Sequence, residues 1–162
     1  MKGSAEVLAQ TLDLSRQLTQ RYINRIINGD LKKQIVVGDI KLNCAHWIIA
    51  HLTWSENMLI LLGCGGSPVK KEWLNLFQIG STAEPQDNWP SIEIVLNDMK
   101  EIHESTLQHI LSLTDTALEE PNLTPIHFNG DKSKRVIIQH AIRHEAMHCG
   151  HLSWLCKLQG LK

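Results

Sequence analysis

A chain of 162 residues, 43% hydrophobic and 20% charged, is long enough for one sizeable core and too apolar for wholesale disorder. No Gly-, Ser- or Pro-rich linker divides it, so residues 1–162 are expected to form a single domain. A net charge of −1, with Lys and Arg scattered along the chain, offers no broad cationic surface for phosphates, and nucleic acid is not an expected partner.

The first segment, "MKGSAEVLAQTLDL", carries acidic residues and amphipathic spacing where a signal peptide would have a continuous apolar stretch. From Ala5 to Ile27 apolar residues recur at three- and four-residue intervals until "NGD", which predicts a first long helix. A second is expected from Asp39, as N-cap, to Leu62, where "GCGGSP" ends it. This segment holds the longest apolar run, but His46, His51, Glu56 and Asn57 interrupt it short of membrane-spanning length, so no membrane partner is expected. "KKEWLNLFQIGSTAEPQDNWP" reads as a short helix over Glu72 to Phe77 inside a long irregular crossover, a kind of loop that often carries function. A third helix is predicted from Ser91 to Leu113, followed by the polar connector "TDTALEEPNLTPIHFNGDKS". The last helix is expected from Ser133 to Leu158, with Gly150 inside it at a cost of about 1 kcal/mol relative to Ala. That cost suggests close approach of another backbone or a ligand. Four long helices and no convincing strand pattern predict an all-α fold: a four-helix bundle with a long crossover containing a short extra helix.

Cys44, Cys64, Cys149 and Cys156 form no C-x-x-C pair, which suggests reduced thiols in a cytoplasmic protein. The unusual count is histidine, at nine. "RHEAMHCGH" contains H-E-x-x-H, and residues four apart in a helix differ by roughly 40° in direction, so His144 and His148 can aim at one ion. His140/His144 and His148/His151 are equally possible pairs by spacing alone. On the second helix His46 and His51 are roughly 140° apart and cannot both face inward. His51 lies in the mostly apolar row of Trp47, Ile48, Trp54, Ser55 and Met58, and a polar ring there needs a partner. His46, His103, His109 and His127 are assigned surface or hydrogen-bonded structural roles.

A zinc-protease reading would make Glu145 a general base and demand a third ligand downstream. The extended motif needs glycine at position 151 and histidine at 154, where the chain has His151 and Trp154, and "CGHLSWLCKLQGLK" contains no acidic residue. The third ligand must lie upstream. Glu145, about 100° from the ligand face, is expected to be an exposed carboxylate. Cys149 and Cys156 are read as structural thiols, and Trp47, Trp54 and Trp154 as packing residues.

"IIAHLTWSE" in the second helix, "EWLNLFQIGS" in the crossover, "PSIEIVLNDMKEIHESTLQHILSL" in the third helix and "HAIRHEAMHCGHLSWLCKLQG" in the last resemble, in order and spacing, the DinB/YfiT-like superfamily of small four-helix-bundle metal proteins. The resemblance implies a three-histidine site with one ligand from the second helix and two from the last, here His51, His144 and His148. Gly150 matches a small residue frequent two positions after the last ligand, and His151 stands where glutamine is frequent. His140 and His151 then become residues that hydrogen-bond a ligand or line the pocket. The implied cofactor is one divalent ion, zinc or nickel, with manganese or iron as alternatives that imidazole also suits. Relatives include thiol S-transferases and a thiol-dependent isomerase, which implies a small-molecule substrate and activation of a low-molecular-weight thiol, with hydrolysis as the second chemistry. Family members associate through helices, which implies a homodimer, and a non-catalytic metal-binding or dimeric interaction module is the alternative to an enzyme. A catalytic site should keep an open coordination position beside a solvent-reachable cleft, and a structural one should be closed by a fourth protein ligand.

Overall fold

A computed structural model describes residues 3–161. Four long helical segments form an all-α bundle: α1 (Ser4–Ile26), α2 (Ala45–Glu56) continued by a π-helical stretch (Asn57–Leu62), α3 (Ile92–Ser112) and α5 (Lys134–Leu158). α1 packs most extensively on α5, α2 on α3, and α2 and α5 also meet directly. None of the described helices is long and apolar enough to cross a membrane.

The helix starts follow side-chain chemistry. Ser91 and Ser133 accept hydrogen bonds from the amides of Ile94 and Val136, at 3.5 and 3.2 Å, and so cap α3 and α5 where their sequences predict it. The connector holds a helix not foreseen, α4 (Asp115–Glu119), capped by Thr114 Oγ1 accepting from the Ala117 amide at 3.1 Å. The expected start of the second helix at Asp39 is incorrect. Val36–Val37 (β1) and Ile40–Lys41 (β2) pair antiparallel, Val37 opposite Ile40, around a two-residue turn in which Gly38 takes φ +60. Two-residue strands are too short to show an alternating pattern, and α2 begins only after Cys44.

The crossover follows the π-helical stretch and is pinned to it. Asn57 Nδ2 donates to the Val69 carbonyl at 3.1 Å, and the Val69 amide donates back to Asn57 Oδ1 at 2.9 Å. The short helix over Glu72–Phe77 forms with the expected bounds but as a 3-10 helix. It drives Phe77 into the core against Trp73, Trp89 and His46.

Besides a smaller cluster of Leu61, Leu74 and Ile102, the bundle interior has two apolar lobes. One contains Ile23, Trp47, Ile48, Phe77, Met99 and Leu152, and the other Leu12, Ile60, Ile110, Ile137 and Ala141. Between them every long helix contributes a buried charged or titratable side chain: Arg16 from α1, Glu56 from α2, His103 from α3 and Glu145 from α5. His51 and His148 are buried as well.

Candidate metal centre

His51 projects from α2, and His144 and His148 from successive turns of α5. Their ring centroids lie 5.1 Å (His51–His144), 5.2 Å (His51–His148) and 4.5 Å (His144–His148) apart. One ligand nitrogen from each residue falls within 4.8 Å of the other two. The crossover sets the orientation of His51: its Nδ1 donates to the Phe77 carbonyl at 2.7 Å, which leaves Nε2 as the nitrogen with the lone pair, 3.4 Å from Ser55 Oγ. Trp47 stacks on the ring at 4.5 Å between centroids, and Trp54 stacks at 5.6 Å. The ring is thus held by a hydrogen bond at one end and by indole contacts.

His51 Nε2 faces His144 Nε2 at 3.3 Å. Two lone pairs at that distance repel unless a proton or a cation lies between them. Metal–imidazole bonds of about 2.1 Å in a tetrahedral arrangement place donor atoms about 3.4 Å apart, so the donor set fits a small divalent ion. Burial, first, and the neighbouring imidazoles, second, push the His144 pKa down to about 4 and that of His148 down to about 3. Burial also lowers that of His51, against the pull of its bond to Phe77. All three rings are therefore neutral near pH 7, the form in which imidazole binds a metal. Among the described residues no fourth side chain joins the cluster, and His144 is only half-buried.

The other stripe histidines take different places. His140 is half-buried at the rim, tilted against Phe128 with 4.9 Å between ring centroids, and its Nδ1 accepts from Arg143 at 3.1 Å. His151 is exposed on one side, while its Nδ1 stands 3.3 Å from His148 Nδ1. It also lines a cavity of about 400 Å³ with Leu42, Ile48, Trp154 and Leu155. Trp47 is core, as expected, but Trp154 is 62% exposed and forms a pocket wall. Gly150 is exposed, and nothing lies within 4 Å of where its Cβ would stand, so the close approach expected there is absent. His46 is buried between Phe77 and Trp89, away from the triad, while His103 is hydrogen-bonded at both ring nitrogens.

Glu145 is not the exposed carboxylate its position suggested. The angle from the ligand face was right, but that side of α5 is covered by α1. Arg16 Nη2 donates to Glu56 Oε2 and, at 3.1 Å, to Glu145 Oε2. Arg16 Nε stands 3.0 Å from Glu145 Oε1 at an angle too poor for a hydrogen bond, so that contact is ionic only. Glu56 also accepts from His103 Nδ1 at 2.7 Å, and His103 Nε2 reaches Asp13 at 3.2 Å. Burial would raise the Glu56 pKa, but Arg16 and His103 outweigh it and hold the carboxyl below its ordinary range. Burial would lower the His103 pKa, but Glu56 outweighs it and holds the ring above its ordinary value. Sequence reasoning missed this cluster although a signal existed: Arg16 interrupts the inward row Leu12, Arg16, Thr19, Ile23 of α1. A void of about 10 Å³ lined by Ser55, Glu56, His144 and Glu145 lies between the cluster and the triad.

All four cysteines are buried and unpaired, and burial pushes their thiols up, Cys64 to about 12. None is a poised nucleophile.

A protein-family model, that of the DinB superfamily, matches residues 11–152, a span that includes all three clustered histidines. Among curated proteins none matches the chain. The chain belongs to the DinB superfamily.

Proposed function

We propose that this DinB-superfamily chain is a metal-dependent enzyme in which His51, His144 and His148 hold one divalent ion, zinc or nickel, and a low-molecular-weight thiol is activated for transfer to an electrophile. The observation that carries the reading is the three-nitrogen donor set with a half-exposed edge at His144 and no fourth protein ligand among the described residues. A divalent ion held there supplies Lewis acidity that lowers the pKa of a thiol or of water.

The protein's own groups account for the rest. Phe77 fixes the tautomer and direction of His51, and Trp47 and Trp54 shield its ring from solvent. Three neutral imidazoles bring no charge to offset a divalent cation, so the set favours an anionic exchangeable ligand such as a thiolate. In the transfer, the thiol loses its proton to solvent, sulfur forms a bond to the electrophilic carbon, and the bond from that carbon to the leaving group breaks, the leaving group departing with the electron pair. Hydrolysis is the second chemistry at the same site, with water in place of the thiol.

The test is metal content by elemental analysis, with transfer from cysteine and glutathione to an activated halide and with ester hydrolysis, in wild type, His51→Ala, His144→Ala and His148→Ala. Stoichiometric metal and thiol-dependent turnover in wild type only are expected. Undiminished metal in all three variants refutes the site, and full metal without turnover on either panel favours a non-catalytic module.

A further inference from the structure

In a three-histidine site, each ring must present one nitrogen to the ion, so the outer nitrogen carries the proton and needs an acceptor. For His51 that acceptor is the Phe77 carbonyl. For His148 the outer nitrogen is Nδ1, and the group beside it at 3.3 Å is Nδ1 of His151, with the two rings nearly perpendicular at 81°.

We propose that His151 is a positioning residue of the metal centre: its Nδ1 accepts the Nδ1 proton of His148 and so turns His148 Nε2 toward His51 and His144. This rests on the metal reading above. The assignment follows from donor counting. Two ring nitrogens in contact share one proton, and a His148 that binds through Nε2 must hold that proton on Nδ1. His151 then carries its own proton on Nε2, for which no hydrogen bond is found among the described residues. His151 also lines the cavity of about 400 Å³ beside Ile48 and Trp154, in the groove between α2 and α5 one helical turn from the triad. An occupant of that cavity with a hydrogen-bond acceptor would meet His151 Nε2–H and strengthen the bond to His148.

The contact is tested by zinc competition against a chromophoric chelator and by long-range 1H–15N NMR of the imidazoles, in wild type, His151→Phe and His151→Asn. Phe keeps the ring without the acceptor, and Asn can place its amide oxygen where Nδ1 stood. Zinc affinity is expected to fall about tenfold in His151→Phe, the lower end of the range for such partners, and to return to within about threefold of wild type in His151→Asn. The zinc-loaded wild type should show His148 protonated on Nδ1 and His151 protonated on Nε2. Wild-type affinity in His151→Phe, failure of Asn to rescue it, or a proton on His151 Nδ1 overturns the assignment while leaving the metal site intact. A wild type that takes up no zinc overturns the metal reading itself.

Discussion

Arg16 is the side chain on which the buried polar layer depends. Its side chain is 7% exposed, and the two carboxylates it joins, Glu56 and Glu145, are each 4% exposed. With His103 protonated, the layer contains two cations and two buried anions; Arg16→Met leaves two anions facing one cation. Breaking a buried ion pair by removing one partner costs about 3–5 kcal/mol, because the remaining charge has lost both water and its partner. For a chain of this size that corresponds to a fall in Tm of about 6–20 °C. The penalty should grow as pH rises through the folded pKa of His103, since the last cation beside Glu56 is then lost. Urea denaturation of wild type, Arg16→Met, Glu145→Leu and the double variant at pH 6 and pH 8 measures it. Removing Glu145 as well restores the balance of one cation to one anion, so the double variant should be more stable than Arg16→Met alone. A loss below about 1 kcal/mol, or a double variant less stable than Arg16→Met, would refute the claim that the layer holds charge in balance.

Three further outcomes follow from the same geometry. Glu145→Gln should lower stability while zinc uptake stays at the wild-type level; loss of zinc would return Glu145 to the metal site. Gly150→Ala, at an exposed helical position with free space around it, should stabilise by about 1 kcal/mol in thermal unfolding and leave zinc affinity unchanged, and a destabilisation would show a close approach after all. In the metal-free protein, His144 and His148 titrate near 4 and 3 when folded and near 6.5 when unfolded, so between those values the unfolded chain binds more protons. Their contribution is whole above about pH 6.5 and is lost as pH falls toward 4 and 3, at up to about 1.4 kcal/mol per pH unit for each ring. His148→Ala should flatten part of that slope, measured as the urea midpoint against pH. The remainder stays with His144, with His46, which burial and Lys32 depress to about 4, and with His51 and His140, which burial also lowers.

Much of this was readable from the chain. Helical periodicity marked α1 and α3 because each buries a stripe, whereas α2, buried on almost all sides, was marked by its apolar run and its Gly/Pro stop, and the expected starts at Ser91 and Ser133 hold because each hydroxyl satisfies a free amide. Spacing made His144 and His148 one of three possible pairs on the last helix, and the isolation of His51 in an apolar row marked it as needing a partner; the family resemblance chose the set whose rings now face one another. The hairpin before α2 was not readable, because two-residue strands have no period.

What the sequence determined by itself is angular: which residues share a helix face, hence that His144 and His148 can act together and that Glu145 points elsewhere. What lies opposite each face was decided only by the packing of separate segments. α1 crosses the Glu145 face and converts a supposed surface carboxylate into an ion partner of Arg16, the crossover carries the Phe77 carbonyl to His51 from 26 positions away, and Trp154 is left in solvent. Helical spacing is a local property fixed by backbone hydrogen bonds, whereas burial and partnership belong to pairs of elements that meet only when the chain closes on itself.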